Sequence, residues 1–318
     1  MSVIARFLAR SAGLGVSETR RLIISAPERY RVFKIDKRSG GEREIAQPTP
    51  EIKFLQRIFL TQFLERLPVH PCATAYIRGK SLRDNAAPHA GNGPILKMDF
   101  ADFFPSIRSR DWRAYCEEKG ILQDEEDLYL TERLLFFRRR GTRMLRLSIG
   151  APTSPMISNL LMYDFDERVR TAVSRDHVTY TRYADDLTFS ARRTGYLVNV
   201  QKDIKRIIRA QAYPKLKINK EKTTYVTAKY HRQVTGLTLS NDGRVTIGRD
   251  LKRVISAKVH HYASGRLEED SIPQLSGLLA YVNAVEPAFL NVLGEKYDFS
   301  VLEEIRSYAK ILHAENDT

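Results

Sequence analysis

The sequence predicts an α+β protein with a split βαβ unit at its centre. Three observations carry that prediction. Residues 95–107, ILKMDFADFFPSI, open with an apolar, strand-like run that ends on Asp99. Residues 178–191 hold two alternating segments, Val178/Tyr180/Arg182 and Leu187/Phe189/Ala191, on either side of Tyr183-Ala184-Asp185-Asp186. That is the pattern of a β-hairpin with two acids at its tip. Helix-spaced runs and a further strand follow, so from Asp99 onward the order reads strand, helix, hairpin, helix, strand. This is the split βαβ arrangement of ferredoxin-like folds.

The elements follow in chain order. Residues 2–25 read as short helices broken near Gly13 and Gly15. Residues 29–48 read as two strands around a Ser-Gly-Gly turn. Residues 51–67 form an amphipathic helix with Ile52, Leu55, Ile58, Phe59 and Phe63 on one face. Residues 81–91 suit a short helix or loop, and 111–137 a helix. Residues 138–150 suit a basic hairpin or loop. A helix follows, with Ser154 as cap, Pro155 in its first position, and Ile157, Leu160, Leu161, Phe165, Val169 and Val173 at helical spacing. After the acidic hairpin come a helix at 197–212, strands at 215–219 and near 223–228, and the hairpin RQVTGLTLS-NDG-RVTIG. Residues 248–314 read as three or four helices.

Composition narrows the function. The 318 residues are 42% hydrophobic and 28% charged, enough for a sizeable core in two or three subdomains. The net charge of +14 points to a polyanionic partner. The charge is uneven: residues 249–318 hold eight Lys and Arg against eleven Asp and Glu, so the basic excess lies before them. Two cysteines, Cys72 and Cys116, lack metal-ligand spacing and suit a reduced, cytoplasmic setting. No 18-residue apolar run occurs, so neither a signal peptide nor a membrane partner is expected.

Adjacent carboxylates repel, so Asp185 and Asp186 favour a bound cation. Oxygen ligands of this kind suit Mg²⁺ together with substrate phosphates. A strand carrying Asp99 beside the hairpin would gather three carboxylates. Such a cluster can hold two metals about 3.5–4 Å apart.

Seven short strings, in order, resemble a reverse transcriptase, and more narrowly a bacterial retron reverse transcriptase. They are I-x-K-x-x-G-G-x-R (35–43), GKSLRDNAAPH (79–89), KMDFADFFPSI (97–107), GAPTSPMISNL (150–160), YTRYADDLTFS (180–190), INKEKT (218–223) and QVTGLTLS (233–240). Two are more particular to retrons: Asn85-Ala86-x-x-His89 and Val234-Thr235-Gly236. The resemblance implies a right-hand polymerase. Its fingers would span 1–98 and 107–150, its ferredoxin-like palm 95–106 and 151–247, and its helical thumb 248–318. It implies Asp99, Asp185, Asp186 and the carbonyl of Phe100 as ligands for two Mg²⁺ ions.

Further roles follow from the resemblance. Phe104 falls at the sugar-gate position, where a bulky ring excludes a ribose hydroxyl; the plain alternative is that Phe103 and Phe104 are both core aromatics. Lys37 and Arg43 resemble a triphosphate clamp, or are a solvated basic hairpin. Gly150 permits close approach of a base or sugar; many family members place Gln before it, where this chain has Ile149. Lys222 matches a lysine near the leaving group, with Lys220 as the alternative. Asn85 and His89 are RNA-contacting or structural, a satisfied buried histidine being the plain alternative. Val234, Thr235 and Gly236 could approach RNA, or form a strand with a bulge. Arg249, Lys252 and Arg253 share a helix face that could track phosphates, as could the Arg138–Arg146 group.

The resemblance implies an RNA-directed DNA polymerase that copies a dedicated structured noncoding RNA from deoxynucleoside triphosphates. Its single-stranded DNA product would be joined to the RNA by a 2′–5′ branch. It also implies antiphage defence with an effector protein. The rivals are another bacterial reverse transcriptase, such as a group II intron enzyme, and a noncatalytic RNA-binding scaffold. The chain ends soon after the thumb, which disfavours an added maturase or nuclease domain.

Overall fold

In a computed structural model, the structure describes residues 2–37, 40–227 and 229–316, with side chains through 308. Helices α1 (Val3–Ala12) and α2 (Val16–Ser25) precede the hairpin β1 (Tyr30–Asp36) and β2 (Glu42–Pro48), then α3 (Pro50–Gln62) and the short α4 (Leu82–Ala86). Strand β3 (Ile95–Ala101) leads to α5 (Phe103–Ser106), α6 (Ser109–Lys119), α7 (Glu125–Leu135) and the two-residue strands β4 (Phe137–Arg138) and β5 (Leu145–Arg146). Next come α8 (Ser154–Leu161), α9 (Tyr163–Ser174), β6 (Thr179–Tyr183), β7 (Asp186–Ser190), α10 (Val200–Ala210) and β8 (Lys217–Val226). The chain continues through β9 (Gln233–Val234), β10 (Leu237–Leu239) and β11 (Val245–Thr246). It ends in α11 (Arg249–Ala263), α12 (Ile272–Val285), α13 (Pro287–Tyr297) and α14 (Phe299–Asn316).

The sheet order β6-β7-β3-β8 is the ferredoxin-like order expected from the sequence. The central strand β3 is buried along nearly its whole length, which explains its apolar sequence. Several boundaries differ from expectation. The helix expected over 111–137 is two helices, because Gly120 caps α6 in the left-handed conformation at φ 66°. The helix from Ser154 breaks at Met162 into α8 and α9, and the N-cap position belongs to Thr153. The two strands expected at 215–228 are the one strand β8; the end of that expectation, Ala228, lies outside the described residues. Arg38 and Ser39 of the first hairpin's turn also lie outside them.

The chain forms two compact units. The first comprises residues 1–76, 97–187 and 198–224, and the second 77–96, 188–197 and 225–318. In the second unit one apolar cluster joins Ala86, Ala90 and Ile95 to Val234, Leu237 and Leu239, and to Leu275, Leu279, Val282 and Ile305 of the terminal helices. Segments 86–95 and 234–247 therefore contribute buried apolar side chains to the same cluster as the C-terminal helices. In the first unit, α1 is anchored through Ser2, whose hydroxyl bonds the buried Asp127 of α7 and caps α1 at Ala5.

Candidate active site

Strand β3 delivers Asp99 as a buried side chain near its C-terminal end. The β6–β7 hairpin turns through Ala184, at φ 56°, and places Asp185 and Asp186 at its tip. The Phe100 N–H donates to the Asp185 carbonyl at 3.2 Å, which ties the tip to β3. Burial, and then the Asp99 charge, push the Asp185 carboxyl above the usual range. The Asp186 carboxyl is also raised, to about 7, by desolvation and then by the charges of Asp185 and Asp99. Lys222 of β8 donates to Asp99 Oδ2 at 3.1 Å, with its own side chain 54% exposed. Lys97, two residues before Asp99 and so on the same face of β3, is half-buried; burial lowers its pKa and the Asp186 charge opposes that.

The three acids are thus within electrostatic reach of one another. Among the described residues, however, no three His, Cys, Asp or Glu side chains are grouped tightly enough to hold a metal ion. Lys222 supplies a counter-charge to Asp99. Raised pKa values at both hairpin acids mark a site that a divalent cation would relieve, and an all-oxygen donor set suits a hard cation. The residues fit a metal site in that chemical sense.

The hairpin is held by a network that sequence reasoning missed. Arg182 and Asp166 are both fully buried and form a forked ion pair: Nη2 to Oδ2 at 2.7 Å and Nε to Oδ1 at 2.9 Å. Arg182 Nη1 also donates to the Ala184 carbonyl and to Asn159 Oδ1, both at 3.1 Å. Asn159 Nδ2 donates to the Ala75 carbonyl at 2.9 Å, and the Tyr180 hydroxyl donates to Asp166 Oδ1 at 2.7 Å. One guanidinium therefore grips the carbonyl of the residue preceding Asp185. The only sequence signal was an arginine at an inward position of an alternating strand.

The expected nucleotide-side residues are placed as follows. Phe103 is buried and stacks on Phe100 with centroids 5.6 Å apart, whereas Phe104 is half-buried. The two diverge because they lie on the short helix α5, entered through a left-handed Asp102. Phe104 meets Tyr76 edge-on at 6.4 Å, and Tyr76 lies 6.5 Å from Tyr183. Tyr76, another residue the sequence did not mark, is half exposed with φ 61°; burial, then the Asp185 charge, raise its hydroxyl pKa. Arg43 is exposed on β2 and is felt electrostatically by both Asp185 and Tyr76. Lys37 is exposed at the end of the same hairpin, its N–H bonded to the Gly41 carbonyl. Gly150 has φ 125°, and a Cβ there would meet the Ala46 carbonyl at 2.9 Å. The close approach it permits in this structure is that of β2.

In the second unit, Asn85 and His89 are fully buried. The His89 imidazole bonds Ser190 Oγ at 2.6 Å, and Asn92 Nδ2 donates to the same oxygen at 2.8 Å. Burial pushes the His89 pKa down to about 3, so the ring is neutral. Val234 is also fully buried. The expected RNA contact by these three side chains is corrected: they are core residues. Thr235 and Gly236 form a two-residue turn, since Val234 pairs with Leu237, and not a bulge. Both have positive φ, 47° and 81°, as a type I′ turn requires. A β-branched residue there is strained, and the Thr235 hydroxyl has no hydrogen-bond partner among the described residues. Arg249 and Arg253 are exposed on α11, but Lys252 is turned inward, paired with Glu286 and 5.1 Å from the Phe289 ring centroid. The Arg138–Arg146 group is likewise partly neutralised: Arg138 pairs with Glu28, and Arg139 and Arg146 with Glu44.

Residues 35–239 match the family described as "Reverse transcriptase (RNA-dependent DNA polymerase)". With the acid-tipped hairpin beside β3, that match defines the class: an RNA-directed DNA polymerase. The Retron Ec83 reverse transcriptase of Escherichia coli is 35% identical over 283 residues, covering 88% of this chain and 91% of that protein. The Retron Mx162 reverse transcriptase of Myxococcus xanthus is 32% identical, covering 89% of this chain and 64% of that protein. The chain belongs to the retron reverse transcriptases. Apo telomerase from Candida Tropicalis shares the fold, with a TM-score of 0.52 at 11% identity over 91% of this chain and 62% of that one. No helix among the described residues is long and apolar enough to cross a membrane.

Proposed function

We propose that the enzyme copies a dedicated structured noncoding RNA into single-stranded DNA, starting from a 2′-hydroxyl of that RNA and leaving a 2′–5′ branch. The observation that carries the catalytic part is the convergence of Asp99, Asp185 and Asp186 with Lys222. Asp99, Asp185, Asp186 and the Phe100 carbonyl would hold two Mg²⁺ ions. When bound, these activate the attacking hydroxyl and stabilise the leaving oxygen. Lys222 carries its proton and charge beside Asp99, where it can follow the charge that develops on departing pyrophosphate. Arg43 and Lys37 grip the triphosphate, the first in a bidentate manner and the second as a point charge. Phe104, backed by Tyr76, closes the space a ribose 2′-hydroxyl needs, and Gly150 acts on the nucleotide side through the close packing of β2 that it permits. Gly236, Arg249 and Arg253 present bare backbone and charge to the RNA, and Thr235 shapes the turn that carries Gly236. A cytoplasmic location and a defence role with an effector protein complete the reading, on the strength of the retron resemblance.

The test is Asp185→Asn, assayed for DNA synthesis on co-purifying RNA and for RNA retention. Synthesis should fall by orders of magnitude, because a lost metal ligand removes several kcal/mol of transition-state stabilisation, while RNA remains bound. Near-normal synthesis by a folded Asp185→Asn protein would defeat the assignment.

A further inference from the structure

In the second unit, one buried side chain joins the two strings more particular to retrons, residues 85–89 and 234–236. Arg232 directly precedes β9 and is only 3% exposed. One Nη donates to the Asn92 carbonyl and, at 3.3 Å, to that of Gly93. The other donates to the Ser240 carbonyl at 2.9 Å and to Asn241 Oδ1 at 3.3 Å. Its Nε has no hydrogen-bond partner among the described residues. Burial lowers its pKa, with no acid near enough to raise it again. Arg182, equally buried, has Asp166 across from it.

Burying a guanidinium without a counter-charge is costly, because carbonyl dipoles replace hydration only in part. A fold keeps such a group where it fixes one geometry among several. The acceptors show which geometry that is. The fork spans two turns, 92–93 ahead of β3 and 240–241 beyond β10. On the first side, Asn92 Nδ2 donates to Ser190 Oγ at 2.8 Å, and the His89 ring bonds the same oxygen at 2.6 Å. On the second, the Leu239 N–H donates to the Arg232 carbonyl at 2.9 Å and closes the base of the β9–β10 hairpin. The tip of that hairpin is the Thr235-Gly236 turn. Val234 also packs in one apolar cluster with Ala86 and Ala90. His89 is too deeply buried to touch RNA, yet it belongs to the mount on which the hairpin stands.

We propose that Arg232 is a positioning residue for the choice of RNA: its fork locks the base of the β9–β10 hairpin to the 89–93 segment and so aims the Thr235-Gly236 turn. The proposal rests on the reading that this turn meets the RNA. It depends on the shape of the guanidinium and not on its charge alone. A lysine keeps the charge but, as a single point donor, cannot span both turns.

The test uses the full chain and two assays, priming on the cognate RNA and extension of a generic annealed primer–template, with folding followed by thermal melting. Arg232→Lys should raise the KM for cognate RNA about tenfold, within the range reached by residues that touch neither ligand. It should change kcat less, and cost little in generic extension. Asn241→Ala, at an exposed position, removes one of the four acceptors with little risk to folding. It should raise the same KM about threefold. Gly236→Ala puts a methyl group on the turn itself and tests the underlying reading. Normal priming by Gly236→Ala sinks that reading and the proposal together. Impaired priming by Gly236→Ala beside normal priming by Arg232→Lys and Asn241→Ala sinks the proposal alone. Equal losses in both assays, in step with the melting temperature, are what a merely structural side chain gives, and they overturn it too.

Discussion

Arg182 offers the sharpest test of how the acidic hairpin is held. Arg182→Met removes a fully buried guanidinium that makes three bonds to Asp166, one to Asn159 and one to the Ala184 carbonyl. It leaves Asp166, itself fully buried, without its counter-charge. Breaking one side of such a pair costs about 3–5 kcal/mol, a large part of the roughly 5–15 kcal/mol that keeps a domain folded. The charge can then be removed as well. The triple variant Arg182→Met/Asp166→Leu/Tyr180→Phe has no buried ion and no stranded hydroxyl, and such apolar replacements are often neutral or stabilising. Stability should return. Synthesis should not, because the carbonyl before Asp185 is still untethered, and a misplacement of about 1 Å costs on the order of a hundredfold in rate. The assay is urea unfolding alongside kcat/KM for a deoxynucleotide on an annealed RNA template. A triple variant that regains both stability and synthesis would refute the positioning role, and a single variant of wild-type stability would refute the buried pair.

Phe104→Ala should raise the ratio of ribonucleotide to deoxynucleotide kcat/KM about tenfold, equivalent to about 1.4 kcal/mol; an unchanged ratio in an active enzyme removes Phe104 as the gate. His89 is held neutral with a pKa of about 3, against about 6.5 when unfolded. The unfolded chain therefore takes up the extra proton between these values, and stability is whole above about 6.5 and drains away as pH falls. At pH 5 the loss from this group is about 2 kcal/mol. His89→Gln should show that much less destabilisation between pH 7 and 5 in urea unfolding, and equal pH dependence would contradict the burial argument. Thr235→Asn should raise unfolding free energy by about 1 kcal/mol by relieving a left-handed β-branched residue, yet reduce priming on the cognate RNA while sparing extension of a generic primer–template. Unimpaired priming would remove Thr235 from RNA recognition.

The split βαβ core was legible because alternation and helical spacing are local signals, and its strand order follows from them. The places of Asp99, Asp185 and Asp186 in the fold were legible for the same reason: the first lies on an apolar strand and the other two at a hairpin tip. Long-range pairing was not. Arg182 reads as one more polar residue until Asp166, sixteen positions earlier, is packed beside it. Lys252 reads as part of a basic face, but Glu286 and Phe289 draw it inward. Asn85 and His89 lie four apart on what could be a solvent-facing turn, and only packing distant in sequence, such as Ser190 against His89, makes them core. Helix breaks at Gly120 and Met162 were missed because the apolar spacing runs on through both.

The apolar cluster that joins Ala86, Ala90 and Ile95 to Leu275, Leu279 and Ile305 has a consequence for biosynthesis. At translation rates of about 5–20 residues per second, roughly 10–40 seconds separate emergence of the first group from that of the last. Throughout that interval the ribosome-bound chain carries a helix-forming segment whose partners do not yet exist. The nascent enzyme therefore needs shielding until its final helices are made, and a transcript truncated before them yields a protein that cannot close this core.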